Sequence, residues 1–170
     1  VIERVFKEEG VPDDFKYLAI QESGLVSDAV SSADAVGFWQ FKDFTAREVG
    51  LRVDNQIDER KNIVASSRGA ATYLKRHNFL VDNWIYAMSA YQAGMGGARK
   101  YMDKSNYGAR KIEINSSTHW YVKKFIDHKI AFQDRVNEKH YQNLSLIEFE
   151  KGANKNLRRI AKEFELDVNL

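Results

Sequence analysis

One carboxylic acid stands out by its position. Phe15, Leu18, Ala19 and Glu22 fall at i, i+3, i+4 and i+7, so Glu22 closes the face that a helix would bury. Burial disfavours the charged form of a carboxyl group, and a Glu with an ordinary pKa of about 4.3 could be lifted toward about 6 or 7 and keep a proton to donate. Breaking a glycosidic bond needs such a proton. A Glu at a helix end is, taken alone, more often a cap or a surface residue, so the neighbours must carry the argument. Those neighbours are a loop holding Ser31, then Gly37-Phe38-Trp39-Gln40-Phe41, and farther along Tyr91-Gln92 and Tyr121.

The elements that position these residues read as helices. Ile2, Val5, Phe6 and Glu9 predict a short opening helix stopped by Gly10. Pro12, Asp13 and Asp14 then look like the first turn of the helix that carries Glu22, and Gly24 ends it. Residues 25–37 have no lasting periodicity and predict an ordered loop, followed by a short helix running to Gly50. Ile63, Ser67, Ala70, Ala71 and Leu74 mark a helix from about Arg60 to His77, with Asp58 as its expected cap. Trp84, Ala87, Met88 and Tyr91 mark another, and Gly94, Gly96 and Gly97 are expected to release its backbone. Residues 103–117 read as a polar loop. Thr118 then caps a long helix with Tyr121, Val122, Phe125, Ile126, Lys129, Phe132 and Val136 on one side. Leu144 to Phe149 alternates like one short strand, and Leu157, Ile160, Ala161 and Phe164 return to helical spacing.

Composition agrees with a mainly α chain and narrows the partners. In 170 residues that are 44% hydrophobic there is material for one substantial core, and a single proline leaves little punctuation for many short strands. The net charge of +2 is too even to argue for nucleic acid. Between Arg99 and Lys129, however, Arg99, Lys100, Lys104, Arg110, Lys111, Lys123, Lys124 and Lys129 face only Asp103, Glu113 and Asp127. We read that stretch as solvated helix faces, with an anionic partner as the alternative. Cysteine is absent, so disulfides and thiolate metal sites are excluded. His77, His119, His128 and His140 lack the i, i+4 pairing of a helical metal site, so no metal and no cofactor is expected. No apolar run approaches the roughly 18 residues of a spanning helix, and Val1 in mid-pattern predicts a soluble segment trimmed from something longer.

Glu22-Ser23, Ser31, Gly37-Phe38-Trp39-Gln40, Ala90-Tyr91-Gln92-Ala93-Gly94 and Thr118-His119-Trp120-Tyr121-Val122 resemble, in order and spacing, the motifs of the soluble-lytic-transglycosylase-like (goose-lysozyme-like) catalytic domain. The resemblance is nearest to the membrane-bound lytic murein transglycosylase D group and covers roughly residues 8–136. It implies a lysozyme-like helical domain with a substrate cleft over 1–136, with Glu22 as catalytic acid. Ser31 and Gln40 would line the cleft, and Tyr91 and Tyr121 would stand near the reacting sugar. Phe41 and Gln92 complete the implied substrate-binding set, while Trp39 is read as filling space behind the loop. Sugar rings have apolar faces and polar rims, which aromatic rings and amide or hydroxyl groups each suit. Two positions depart from the family pattern: Gln92 stands where Asn is usual, and Ser117 where Glu often begins the last motif.

The implied reaction cleaves the bond between N-acetylmuramic acid and N-acetylglucosamine without water and leaves a 1,6-anhydromuramyl end. Peptidoglycan glycan strands are the implied partner, the chain is expected to act as a monomer, and the implied location is the bacterial envelope. That location is the periplasm, with outer-membrane anchoring only through segments outside this chain. A goose-type lysozyme would hydrolyse the same bond with a second carboxylate, for which Asp28, Asp34 and Asp43 are nearest in sequence. A non-catalytic peptidoglycan-binding protein is the other alternative. After a linker at 137–144, residues 145–170 resemble part of a LysM peptidoglycan-binding module, a small α+β unit, from Gly152 through Asn156-Leu157-Arg158-Arg159-Ile160 to Phe164.

Overall fold

The computed structural model describes residues 1–136, so the expected linker and LysM-like segment lie outside the described residues. Among the described residues six α-helices follow in order: α1 Ile2–Glu8, α2 Lys16–Ser23, α3 Asp43–Glu48, α4 Ile63–Val81, α5 Trp84–Ala98 and α6 Trp120–Val136. Between α2 and α3 the loop is braced by isolated bridges that join Val30 to Val36 and Val36 to Phe41. Among the described residues no helix is long and apolar enough to cross a membrane.

The core gathers around α4, whose Ala70, Ala71 and Leu74 are fully buried. Small residues on this helix let neighbours close in: a Cβ at Gly69 would stand only 3.0 Å from Val49 Cγ2. Val5 and Phe6 come from α1, Leu18 and Ala19 from α2, Met88 from α5, and Val122 and Phe125 from α6. Each large apolar side chain removed from water contributes about 1.5–3 kcal/mol. Phe15 meets Trp84 and Phe125 edge-on, at 5.8 and 5.7 Å between ring centres, and so joins the start of α2 to α5 and α6.

The helix that carries the acid is short and held at both ends. A single 3-10 turn at Asp13–Phe15 leads into α2, and Gly24 ends it in the left-handed conformation, with φ 61°. Lys129 of α6 pairs with Asp14, and Gln21 Nε2 donates to the Tyr121 carbonyl at 3.3 Å. Those contacts fix the register of α6 against α2.

Three expectations need correction. The cap of α4 is Asn62, whose Oδ1 accepts the N–H groups of Val64 and Ala65 at 3.0 and 2.9 Å, and the helix runs on to Val81. Asp58 instead caps the preceding 3-10 turn and holds Arg60. Only Gly94 leaves helical geometry in α5, with φ 66° and ψ 163°; beyond that kink the helix resumes through Gly96 and Gly97. Thr118 does not cap α6 by its side chain, because its Oγ1 accepts the N–H of Asn115 at 3.0 Å and closes the turn before the helix.

Candidate active site

Glu22 is the second-last residue of α2, where side chains turn from the core toward the loop. Its carboxyl is largely buried, and that burial raises its pKa above the ordinary 4.5. The C-terminal end of a helix carries partial negative charge, which also opposes ionisation. Two groups pull the other way. The Tyr121 hydroxyl donates a hydrogen bond to Glu22 Oε1, and the Lys124 charge, one turn farther along α6, favours the carboxylate. Oε1 is thereby engaged, which leaves Oε2 as the oxygen free to carry a transferable proton.

The loop beside the acid is built to hold one shape. Ser23 Oγ, next to Glu22, bonds the Phe38 carbonyl at 3.0 Å and ties the end of α2 to the loop. Trp39 is fully buried, its ring 5.2 Å from Phe6, and its Nε1 donates to Ser67 Oγ at 3.0 Å. This bears out its reading as space-filling behind the loop. Val36 and Phe41 exchange backbone hydrogen bonds at 3.0 and 3.2 Å. Gly37 has φ +83°, and a Cβ there would stand 2.1 Å from the Arg60 carbonyl oxygen, so no larger residue fits.

Arg60 secures the loop from below. Its guanidinium forks onto both oxygens of Asp58 at 2.8 Å and donates to the Phe41 carbonyl at 3.2 Å. Sequence reading missed this pair. Its only signal was the i, i+2 spacing of an acid and an arginine, which is common on surfaces. Ser23 was likewise quoted as a motif residue without its role.

The sequence-derived residues fall into distinct places. Tyr121 is buried and bonded to Glu22. Tyr91 is half-buried, its hydroxyl donating to the Trp39 carbonyl at 2.8 Å and its ring packed 6.0 Å from Phe41 and 5.4 Å from Tyr73. Burial and the nearby Glu22 push the hydroxyl pKa of both tyrosines well above the ordinary value, so both stay protonated. Phe41 is only 3% exposed and forms part of the wall behind Tyr91 rather than an open surface. Gln40 takes φ +49° and its Nε2 donates to the carbonyls of Ala29 and Gly37, at 3.1 and 3.0 Å. Ser31 Oγ accepts the N–H groups of Ala33 and Ala35, at 3.3 and 3.1 Å, and keeps its own O–H to donate. Gln92 is exposed.

Of the expected second carboxylates, Asp28 and Asp34 are exposed and Asp43 is paired with Arg47 on α3. Among the described residues, the groups that bear on the ionisation of Glu22 are Tyr121 and Lys124, and no other carboxylate is among them. No cluster of three or more potential metal ligands occurs among the described residues either. The arrangement is that of one sheltered acid with a phenolic donor and a nearby cation. It can give a proton and take one back.

Comparison with known proteins gives the family and the fold. The chain is 30% identical over 143 residues to the membrane-bound lytic murein transglycosylase D of Escherichia coli K12, a match covering 79% of this chain and 30% of that protein. The same protein from E. coli O6:H1 matches equally. The chain thus spans under a third of the length of these relatives. Among solved structures, an inactive mutant of the lytic transglycosylase Slt from Pseudomonas aeruginosa superposes with TM-score 0.59 at 20% identity, over 82% of this chain and 25% of that one. The 70 kDa soluble lytic transglycosylase of E. coli gives TM-score 0.60 at 19% identity, over 88% and 26%. These likenesses establish the lysozyme-like helical fold. With the Transglycosylase SLT domain model matching residues 2–114, the chain belongs to the Transglycosylase SLT domain family.

Proposed function

We propose that this chain is the catalytic domain of a peptidoglycan lytic transglycosylase with Glu22 as its single acid and base. Glu22 gives its proton to the oxygen between N-acetylmuramic acid and N-acetylglucosamine as the bond from that oxygen to the muramic C1 breaks. The muramic C6 hydroxyl then bonds to C1, and its proton passes to the Glu22 carboxylate. The product is a 1,6-anhydro ring, and the enzyme returns to its starting state. Because nucleophile and electrophile belong to one sugar, the attack has the advantage of proximity. Tyr121 holds Oε1 throughout and stabilises the carboxylate between the two transfers.

The observation that carries this reading is the sheltered Glu22 carboxyl, held by the Tyr121 hydroxyl and with its pKa raised by burial. A hydrolase of the usual kind sets two carboxyl groups across the bond, about 5 to 9.5 Å apart depending on stereochemistry. The relatives named as lytic murein transglycosylases support the same choice. The remaining assignments belong to the proposal. Ser31 donates its free O–H to substrate, Gln40 accepts through its Oε1, and Tyr91, Phe41 and Gln92 shape the floor and rim. The protein works as a monomer in the bacterial envelope, on the periplasmic side, with any outer-membrane anchor supplied by segments outside this chain.

Mass spectrometry of purified sacculi digested with the protein tests the proposal. Anhydromuramyl ends are expected, and Glu22→Gln should abolish their release while leaving the fold intact. Reducing ends in place of anhydro ends would assign hydrolysis, and undiminished turnover in the variant would remove Glu22 from its role.

A further inference from the structure

The last turn of α4 carries an apolar pair that the core does not use. Phe79 is 88% exposed, more than any other large hydrophobic side chain among the described residues, and Leu80 beside it is 57% exposed. Contiguous apolar surface left in water marks a place where a partner is met. Leu80 is also one wall of a groove of about 440 Å³, whose other walls include Met95, Met102 and Tyr107. The kink in α5 builds that groove. Only Asp82 and Asn83 join α4 to α5, and the two helices run antiparallel, as the packing of Tyr73 on Tyr91 shows. In an unbroken α5, Met95 would lie about 16 Å along the helix from Trp84 and so far from the end of α4. The non-helical Gly94, with φ 66° and ψ 163°, brings it back to Leu80.

The groove carries charge of one sign. Arg99 and Lys104, which begin the 3-10 turns Arg99–Tyr101 and Lys104–Asn106, both line it, and no carboxylate does. Both are exposed, and among the described residues no ion pair engages either. The nearest acids in sequence are Asp82, which is exposed, and Asp103, whose Oδ1 accepts the Ser105 N–H at 2.9 Å and which lines a different cavity. Long basic side chains can lay their stems along apolar walls and hold the charged ends outward.

We infer that this face docks on an anionic phospholipid bilayer, with Phe79 and Leu80 entering the acyl boundary and Arg99 and Lys104 meeting lipid phosphates. Binding at a bilayer surface grows with the apolar area buried and with the attraction of cations to anionic lipid, and one face of this chain offers both. A ring that protrudes from a helix end suits a fluid layer, which closes around it. Docking of this kind is reversible and separate from any anchor outside this chain, and it does not depend on the role of Glu22.

Sedimentation of the whole chain with vesicles is the test. Vesicles of phosphatidylglycerol and phosphatidylcholine in equal parts should carry the protein down, and added salt should release it. Pure phosphatidylcholine should bind about 25-fold more weakly, since each cation near an anionic surface is worth about fivefold. Arg99→Gln/Lys104→Gln should lose the same factor, whereas Arg99→Lys/Lys104→Arg should keep the binding. Phe79→Ser/Leu80→Ser should weaken it about tenfold or more. Phe44→Ser, which removes a 72% exposed ring from α3, should not. All of these variants should cut membrane-free sacculi at the wild-type rate. A wild type that ignores anionic vesicles, or that binds both compositions equally, overturns the inference. So does unweakened binding by Phe79→Ser/Leu80→Ser, an equal loss in Phe44→Ser, or a loss of cutting that accompanies the loss of binding. The salt and composition comparisons need no variant and decide even if one misfolds.

Discussion

Replacing Tyr121 with Phe removes one hydroxyl and keeps the ring, so it isolates the hydrogen bond to Glu22 Oε1. In the native site that bond lowers the pKa of Glu22 against the larger effect of burial. Without it, burial is opposed by Lys124 alone, and the pKa must rise further. A hydrogen bond to a charged group is worth about 1.5–3 kcal/mol, and one pKa unit corresponds to about 1.36 kcal/mol. The expected shift is therefore about 1 to 2 units upward. The acid must be protonated to act, so the alkaline limb of kcat/KM should move to higher pH by that amount. The plateau rate should meanwhile fall roughly tenfold, because a weaker acid gives up its proton less readily. Initial rates of anhydromuropeptide release from sacculi, followed by mass spectrometry from pH 4 to 9, would measure both. The limb cannot be assigned to a tyrosine, since Tyr91 and Tyr121 titrate well above the ordinary value. A limb that stays in place or moves down would refute the assigned role of the bond.

Other expectations are simpler to check. Glu22→Gln should stabilise the fold at neutral pH by on the order of 1 kcal/mol. The folded pKa of Glu22 is raised, so its favourable contribution is complete below the ordinary 4.5 and declines as pH climbs through the higher folded value. The gain from Gln should accordingly appear in urea melts at pH 7 and vanish near pH 4. Asp58→Ala leaves the buried Arg60 guanidinium without its carboxylate and should cost about 3–5 kcal/mol; a loss below 1 kcal/mol in the same melts would show the fork to be dispensable. Gly37→Ala combines a positive φ with collision against the Arg60 backbone, and a loss of about 3 kcal/mol is expected. Wild-type stability in that variant would mean that the loop can be rebuilt.

Much of this architecture was legible in the residues because helical periodicity is a local signal. Phe15, Leu18, Ala19 and Glu22 announced α2 and its buried face, and the stripe through Ala70, Ala71 and Leu74 announced α4. What failed was local competition between similar residues. Asp58 and Asn62 are both good caps, and only the path of the chain through Arg60 decides between them. The glycines of α5 look alike in sequence, yet only Gly94 takes a non-helical conformation. Within the site, the proximity of Tyr121 to Glu22 rested on motif order, since 99 residues separate them and no local rule joins them. The engagement of the Ser31, Gln40 and Tyr91 side chains with backbone groups was not legible, because it depends on how the loop folds over Trp39.

The sheltered Glu22 carboxyl has a consequence for the catalytic cycle. In the reaction proposed, the hydrogen lent to the departing alcohol is replaced by the hydrogen stripped from the attacking one. Each round therefore ends with the donor already recharged. The donor does not depend on bulk water to recover its proton, and successive cuts along a strand need no waiting period between them.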